Sequence, residues 1–269
     1  MQAANFVLND YLKRIGFDGE PSATIDCVAE MMRRQLFTVP FENLDVQAGK
    51  IVSMEPEDIV NKIVYAGQGR GGYCYEVNGL FAMALTALGI EYQFVAARPM
   101  FYPVKRPKTH MALVVTLDGE QYLCDLGFGS YGIRAPINLA KVGEPVQQDS
   151  DTYMLERDGD GFLLKALIGE KGAGQQGTGE WANQYGFDLY QPEWIDFAPA
   201  NYVNSTHPDA IFVQKPLAIL FTPEGRKVLL GDSLKHIANR KISQSTVAVD
   251  DYDQMLAREF GLPGLVLAR

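Results

Sequence analysis

Cysteine is scarce in this 269-residue chain: Cys27, Cys74 and Cys124 are the only three, and no C-x-x-C pair occurs. An odd number cannot all pair, so a disulfide scaffold is not expected; free thiols in a reducing, cytoplasmic setting are. Histidine is equally scarce, at His110, His207 and His236, and no metal site is expected. Nor is there a long lysine- or arginine-rich tract, and the net charge is −9, which argues against a nucleic-acid surface. Nowhere do about eighteen apolar residues run together, so no membrane span is expected. The opening MQAANFVLNDYLKRIGF lacks the basic flank, apolar run and cleavage site of a secretory signal. Repeats and low-complexity segments are absent too.

What is present changes character along the chain. The first ninety residues carry helical spacing. Phe6, Leu8, Tyr11, Leu12 and Ile15 form a short amphipathic stretch stopped by Gly16; Ile25, Val28, Met32 and Leu36 mark a second helix, opened by Ser22 or Thr24 and closed before Pro40. Ile59, Val60, Ile63 and Val64 mark a third, ending at Gly67, and Val77, Leu80, Phe81, Ala84, Leu85 and Leu88 a fourth, stopped by Gly89. After Gly89 the pattern becomes strands: EYQFVAARP, THMALVVTL, QYLCDLGF, DTYMLERD and GFLLKALI, punctuated by Asp-Gly turns. KGAGQQGTGE (171–180) is expected to be a surface loop at an internal boundary. The tail is mixed: a helix around Pro192–Tyr202, strands IFVQKPLAILFT and RKVLLG, and a terminal helix in DDYDQMLAREF followed by Gly261 and Pro263. This order predicts an α+β fold, divided as 1–89, 90–190 and 191–269.

RGGYCYE (70–76) places Cys74 after two glycines at the first turn of the fourth helix. The helix N-terminus favours a thiolate there, the backbone N–H of Cys74 is a candidate oxyanion donor, and Gly71 and Gly72 are expected to let the backbone approach closely and to leave room for a substrate carbonyl beside the sulfur. A cysteine nucleophile needs a base and a group to orient that base. His207 lies in a turn-like loop and His236 on an expected polar helix face, whereas His110 starts a strand and Asp125 follows on the next. If Asp118-Gly119 is a two-residue type I′ turn, Leu117 faces Glu120, Ala112 faces Asp125, and His110 and Asp125 share one face. A four-residue loop keeps that arrangement; a three-residue loop with a bulge would separate them. Diagonal neighbours on one face stand roughly 7–8 Å apart, close enough for an imidazole–carboxylate hydrogen bond. GQGRGG (67–72) lacks a preceding strand and the G-K-[ST] of a phosphate loop, so it belongs to the cysteine's loop. Cys27 and Cys124 are expected in the core.

These blocks resemble the arylamine N-acetyltransferase family. R-G-G-Y-C-Y-E resembles its nucleophile signature, and V-P-F-E-N-L-D-V (39–46), T-H-M-A-L-V-V (109–115) and D-L-G-F-G (125–129) resemble its other blocks in the same order. N-S-T-H-P-D-A-I-F (204–212) and T-P-E-G (222–225) extend the likeness into the tail. The resemblance implies an N-terminal helical bundle carrying the nucleophile, a central β-barrel-like domain carrying His and Asp, a C-terminal α/β lid, and a cysteine-protease-like catalytic core. It implies Cys74 as nucleophile, His110 as base and Asp125 as orienter, with Phe41, Phe128 and Phe212 lining the acceptor pocket. Acetyl-CoA is the implied co-substrate, contacted by Thr222, Arg106, Pro107 and Gly129, and aromatic amines or hydrazines the acceptors. A monomer or weak homo-oligomer is expected. The basic run Lys105-Arg106-Pro107-Lys108 departs from the small polar residues common in the family and is expected to attract the coenzyme's phosphates. The same three residues would also serve a transglutaminase- or papain-like hydrolase, or an amide synthase that uses no coenzyme A. A non-catalytic binding module is the third alternative.

Overall fold

The computed structural model describes residues 1–129, 131–168, 179–239 and 241–262. Residues 171–178 of the expected glycine-rich loop, and Pro263, lie outside the described residues.

Helix α1 (Leu8–Ile15) stops at Gly16, whose φ of 65° is the left-handed conformation that glycine adopts without strain. Helix α2 (Ile25–Thr38) is capped by Thr24, which accepts the N–H of Cys27; Thr24 rather than Ser22 is therefore the start signal. A two-residue strand β1 (Phe41–Glu42), helix α3 (Leu44–Gln47) and helix α4 (Pro56–Val60) follow, and α4 runs on into a π-helical turn at Asn61–Tyr65. Helix α5 (Cys74–Ala87) is buried on every side from Cys74 to Leu85, so it is the central helix rather than a surface one.

Eight strands then build one antiparallel sheet. They are β2 (Glu91–Pro99), β3 (His110–Leu117), β4 (Glu120–Cys124), β5 (Ile137–Asn138), β6 (Val146–Gln148), β7 (Asp151–Asp158), β8 (Gly161–Ile168) and β9 (Glu180–Phe187). Their order is β5-β4-β3-β2-β9-β8-β7-β6. A 3₁₀ turn (Trp194–Phe197) leads into α6 (Ala198–Thr206) and the short α7 (Ile211–Gln214). The chain ends its described part with β10 (Leu217–Thr222), β11 (Gly225–Leu230), β12 (Ser233–Ala238), β13 (Lys241–Thr246) and α8 (Tyr252–Phe260). The second sheet has the order β1-β10-β11-β12-β13, so a strand from the first third of the chain edges a sheet made by the last third. The class is α+β, with the eight-stranded sheet nearly closed like a barrel. One hydrophobic core runs from Tyr11 through α5 and the large sheet to Phe221, and a smaller one lies between the five-stranded sheet and α8.

Three local expectations are corrected. Within SLKHIANR, Ser233–Ala238 is strand β12, not a helix: it pairs with β11 on one side and β13 on the other, and Asn239 has a φ of 48°, while Arg240 lies outside the described residues. Leu234 and Ile237 are three apart, a spacing that imitates a helix when read alone. The stretch Ile211–Thr222 is not one strand, because Ile211–Gln214 forms a helical turn over Ala210 and Pro216 separates it from β10. Finally, QYLCDLGF leaves the ladder at Cys124, so Asp125 sits just beyond the strand end.

Candidate active site

The β3–β4 hairpin decides where His110 and Asp125 stand. Asp118 and Gly119 both have positive φ, 52° and 80°, as a type I′ turn requires. Leu117 pairs with Glu120 and Leu113 with Cys124, the register expected for that turn. His110 and Asp125 are thereby brought to one side, and His110 Nε2 lies 2.7 Å from Asp125 Oδ2 with both residues buried.

Cys74 reaches the same point from the helix. Glu76, at the third position of α5, accepts the N–H of Tyr73 at 3.1 Å and closes the helix start. The sulfur lies within hydrogen-bonding reach of the His110 ring; with Nε2 committed to Asp125, Nδ1 is left for it. Burial lowers the imidazole pKa, but the Asp125 charge and hydrogen bond, with the Cys74 sulfur, outweigh it and raise the value from 6.5 to about 10. The balance favours the charged form of the His110 ring.

The glycines before Cys74 make the close backbone approach expected of them. A Cβ on Gly71 would overlap the Pro40 carbonyl oxygen, and one on Gly72 the Glu76 carboxylate. They let the loop press against residues 40–42, where Gly72 donates to Pro40 and Glu42 donates to Gly72. Gly127 is the glycine that meets the nucleophile, since a Cβ there would lie 2.5 Å from the Cys74 Cα. The Thr109 carbonyl, just before His110, accepts from both Tyr75 and Asn204 at 2.9 and 3.0 Å, which ties the histidine strand to α5 and α6.

Cys74 and His110 open on a cavity of about 410 Å³. Phe41, Phe128 and Phe212 line it, as do Arg106, Pro107 and Gly129. Thr222 does not line it: its hydroxyl accepts the Gly225 N–H at 3.1 Å in the β10–β11 turn, and its carbonyl accepts from Arg134. Of the basic run, only Arg106 faces the cavity, with its guanidinium 4.8 Å over the Tyr102 ring. Lys108 is paired with Asp188 at 2.6 Å, and Lys105 lines a separate cleft with Asp158, Asp160 and Asp188.

Several lining or supporting residues escaped the sequence reading. Phe101, Tyr102 and His207 are on the cavity wall. Tyr185 packs its ring 5.0 Å from His110 and 4.7 Å from Phe128. Its buried hydroxyl faces the Asp125 carboxylate without a well-aligned hydrogen bond, and burial, then that carboxylate, push its pKa up. No sequence signal pointed to Tyr185, since its strand β9 was not foreseen. Asn78 was legible, standing one turn after Cys74. Cys27 and Cys124 are buried, as expected of core residues. Among the described residues, no group of three or more His, Cys, Asp or Glu is placed to hold a metal ion, and no helix is long and apolar enough to cross a membrane.

A family model described as N-acetyltransferase matches residues 24–265. The arylamine N-acetyltransferase of Escherichia coli is 31% identical over 83% of this chain and 76% of its own length. The solved arylamine N-acetyltransferase of Mycobacterium abscessus superposes with a TM-score of 0.87 at 30% identity, covering 96% of this chain and 90% of its own. That of Mycobacterium marinum, solved in complex with CoA, gives 0.86 at 29% identity and covers 95% of this chain and 93% of its own. A matching family model across most of the chain, a matching fold, and a cysteine and histidine on one cavity with an aspartate buried behind them agree: this chain belongs to the arylamine N-acetyltransferase family of acyltransferases.

Proposed function

We propose that this protein transfers an acetyl group from acetyl-CoA to an arylamine, arylhydrazine or hydrazide through an acetyl-Cys74 intermediate. The observation that carries the reading is His110, hydrogen-bonded to the buried Asp125 at 2.7 Å, sharing with Cys74 the wall of a phenylalanine-lined cavity. In the first half-reaction the Cys74 sulfur forms a bond to the thioester carbonyl carbon. The bond from that carbon to the coenzyme sulfur breaks, and the His110 imidazolium gives its proton to the leaving thiolate. In the second, the amine nitrogen bonds to the acetyl carbon, its proton passes to His110, and Cys74 leaves as thiolate. Thioester exchange is nearly isoenergetic, and amide formation drives the whole.

Weakly basic aromatic amines are neutral at pH 7 and suit a wall of Phe41, Phe128 and Phe212. The CoA complex of the Mycobacterium marinum relative supports acetyl-CoA as donor. Attraction of its phosphates narrows from the whole basic run to Arg106, since Lys108 is neutralised by Asp188; Pro107 and Gly129 form the adjoining wall. A contact at Thr222 requires the outer part of the coenzyme to lie along the β10–β11 turn. The Cys, His, Asp set is arranged as in cysteine proteases, with the carboxylate behind the imidazole and the sulfur before it.

Incubation with acetyl-CoA followed by intact-mass measurement tests this. The protein should gain the mass of one acetyl group, keep none as Cys74→Ser, and lose it on addition of an aromatic amine with formation of the amide. An unmodified wild-type protein would overturn the reading in favour of a hydrolase or an amide synthase with another acyl donor.

A further inference from the structure

Asn78 stands in α5 one turn beyond Cys74, on the same side of the helix, and is fully buried. Its amide nitrogen donates to the Met111 carbonyl at 2.7 Å and to Asp125 Oδ1 at 3.2 Å. Its amide oxygen accepts the N–H of Leu126 at 2.8 Å. Met111 follows His110, and Leu126 follows Asp125. One side chain thus grips the neighbour of the histidine, the carboxylate itself and the neighbour of the carboxylate. The partners admit only one orientation of the amide, because a carbonyl and a carboxylate need a donor and an N–H needs an acceptor.

The bonds also sort the two oxygens of Asp125. Oδ1 accepts from Asn78 and from the Gly127 N–H at 2.8 Å, while Oδ2 is turned to His110 at 2.7 Å. Absence of a side chain on Gly127 lets this loop close on the helix, since a Cβ would meet both Cys74 and the Asn78 amide. The sulfur, the imidazole and the carboxylate arrive on a helix, a strand and a loop; Asn78, itself on the helix, is hydrogen-bonded to the strand and to the loop.

We propose that Asn78 is a positioning residue for acyl transfer, fixing the Cys74 helix, the His110 strand and the Asp125 loop so that the imidazolium stays beside the sulfur. This rests on the reading of Cys74 as nucleophile, and the test separates the two. Iodoacetamide labelling of Cys74 is followed by mass against pH in wild type, Asn78→Ala and the equally sized Asn78→Asp, with Cys74→Ser reporting labelling at Cys27 and Cys124. Acylation by acetyl-CoA is timed in parallel.

Wild type should label near pH 6 faster than a model thiol. In Asn78→Ala, labelling near pH 6 should fall by at least about tenfold, towards the rate of the model thiol. Acylation should slow with the KM for acetyl-CoA unchanged. Asn78→Asp should shift the same way, because it turns an acceptor towards the Met111 carbonyl and Asp125. A merely structural role would lower the melting temperature and leave the labelling of the folded protein near pH 6 at its wild-type rate; that result overturns the inference. A wild type that labels like a free thiol overturns the nucleophile reading and this inference with it.

Discussion

The first turn of α5 has two sides, both buried and both polar, and they are built for opposite ends. On one side Cys74 faces a cavity of about 410 Å³ whose walls are largely aromatic, with one imidazolium and one carboxylate behind it. On the other side Glu76, two residues on, faces a cluster of ions. Lys62 lies 2.7 Å from Glu76 and 2.6 Å from Asp45, and Arg70 lies 2.8 Å from Glu42 and 3.0 Å from Asp45. The reactive side leaves space and a labile proton beside the sulfur. The back side pairs its charges across the helix start and so anchors the Arg70–Tyr73 loop that delivers the sulfur. Buried charge is costly unless paired, so the first side uses it sparingly and the second uses it in alternation.

Breaking each side should have different consequences. Asp125→Asn removes the charge that holds His110 protonated and should slow acylation by roughly 10³-fold or more, the scale of losing the orienting carboxylate in such a triad. Stopped-flow acylation of the folded fraction measures it. Lys62→Met leaves Glu42, Asp45 and Glu76 facing Arg70 alone and should cost on the order of 3 kcal/mol of stability in a denaturant titration. The fraction that stays folded should acylate within a few-fold of wild type.

Glu76→Gln sharpens the contrast through pH. Burial raises the Glu76 carboxyl, Lys62 opposes this, and Glu42 and Asp45 add to it, bringing the value from 4.5 to about 7. A group raised on folding gives stability that is fully present below its unfolded pKa and is lost as pH rises through the folded one. Stability of wild type relative to Glu76→Gln should therefore decline as pH climbs from 4.5 through about 7. His110 follows the same rule in a higher window, from 6.5 through about 10, so the two sides titrate separately. Thermal melts across both windows would show it; a flat difference between the two proteins would remove Glu76 from the titrating groups. Smallest in effect, Phe128→Ala should raise the acceptor KM about three- to tenfold, as lost apolar contact does, with the acylation rate unaltered in steady-state and single-turnover assays.

The reactive side was far more legible than the anchoring one. Cys74 stood out by its place at a helix start, and the Asp118-Gly119 turn fixed the His110–Asp125 register by local chemistry alone. Phe41 and Phe212, which share the cavity wall at a ring separation of 6.0 Å, carried no such signal and came only through resemblance. The ion cluster was invisible because its members come from β1, α3, the π-turn, the loop at Arg70 and α5, whose mutual placement no short window of sequence encodes. Tyr185 and His207 were missed for the same reason, being brought in by β9 and by the end of α6. The close approach expected at Gly71 and Gly72 serves loop packing, and the glycine pressed against the nucleophile itself, Gly127, was not singled out.

By itself the sequence determined the central helix with its cysteine, the hairpin with its histidine and aspartate, and the α+β class, since each depends on spacing and turn chemistry within a few residues. Tertiary structure alone decided that Asn78 would meet Asp125, that β1 would edge a sheet made by the far end of the chain, and that Thr222 would bond within its own turn. Contacts of that kind depend on which buried surfaces fill one another's volume and which polar groups then need a partner, and both are properties of the packed chain as a whole.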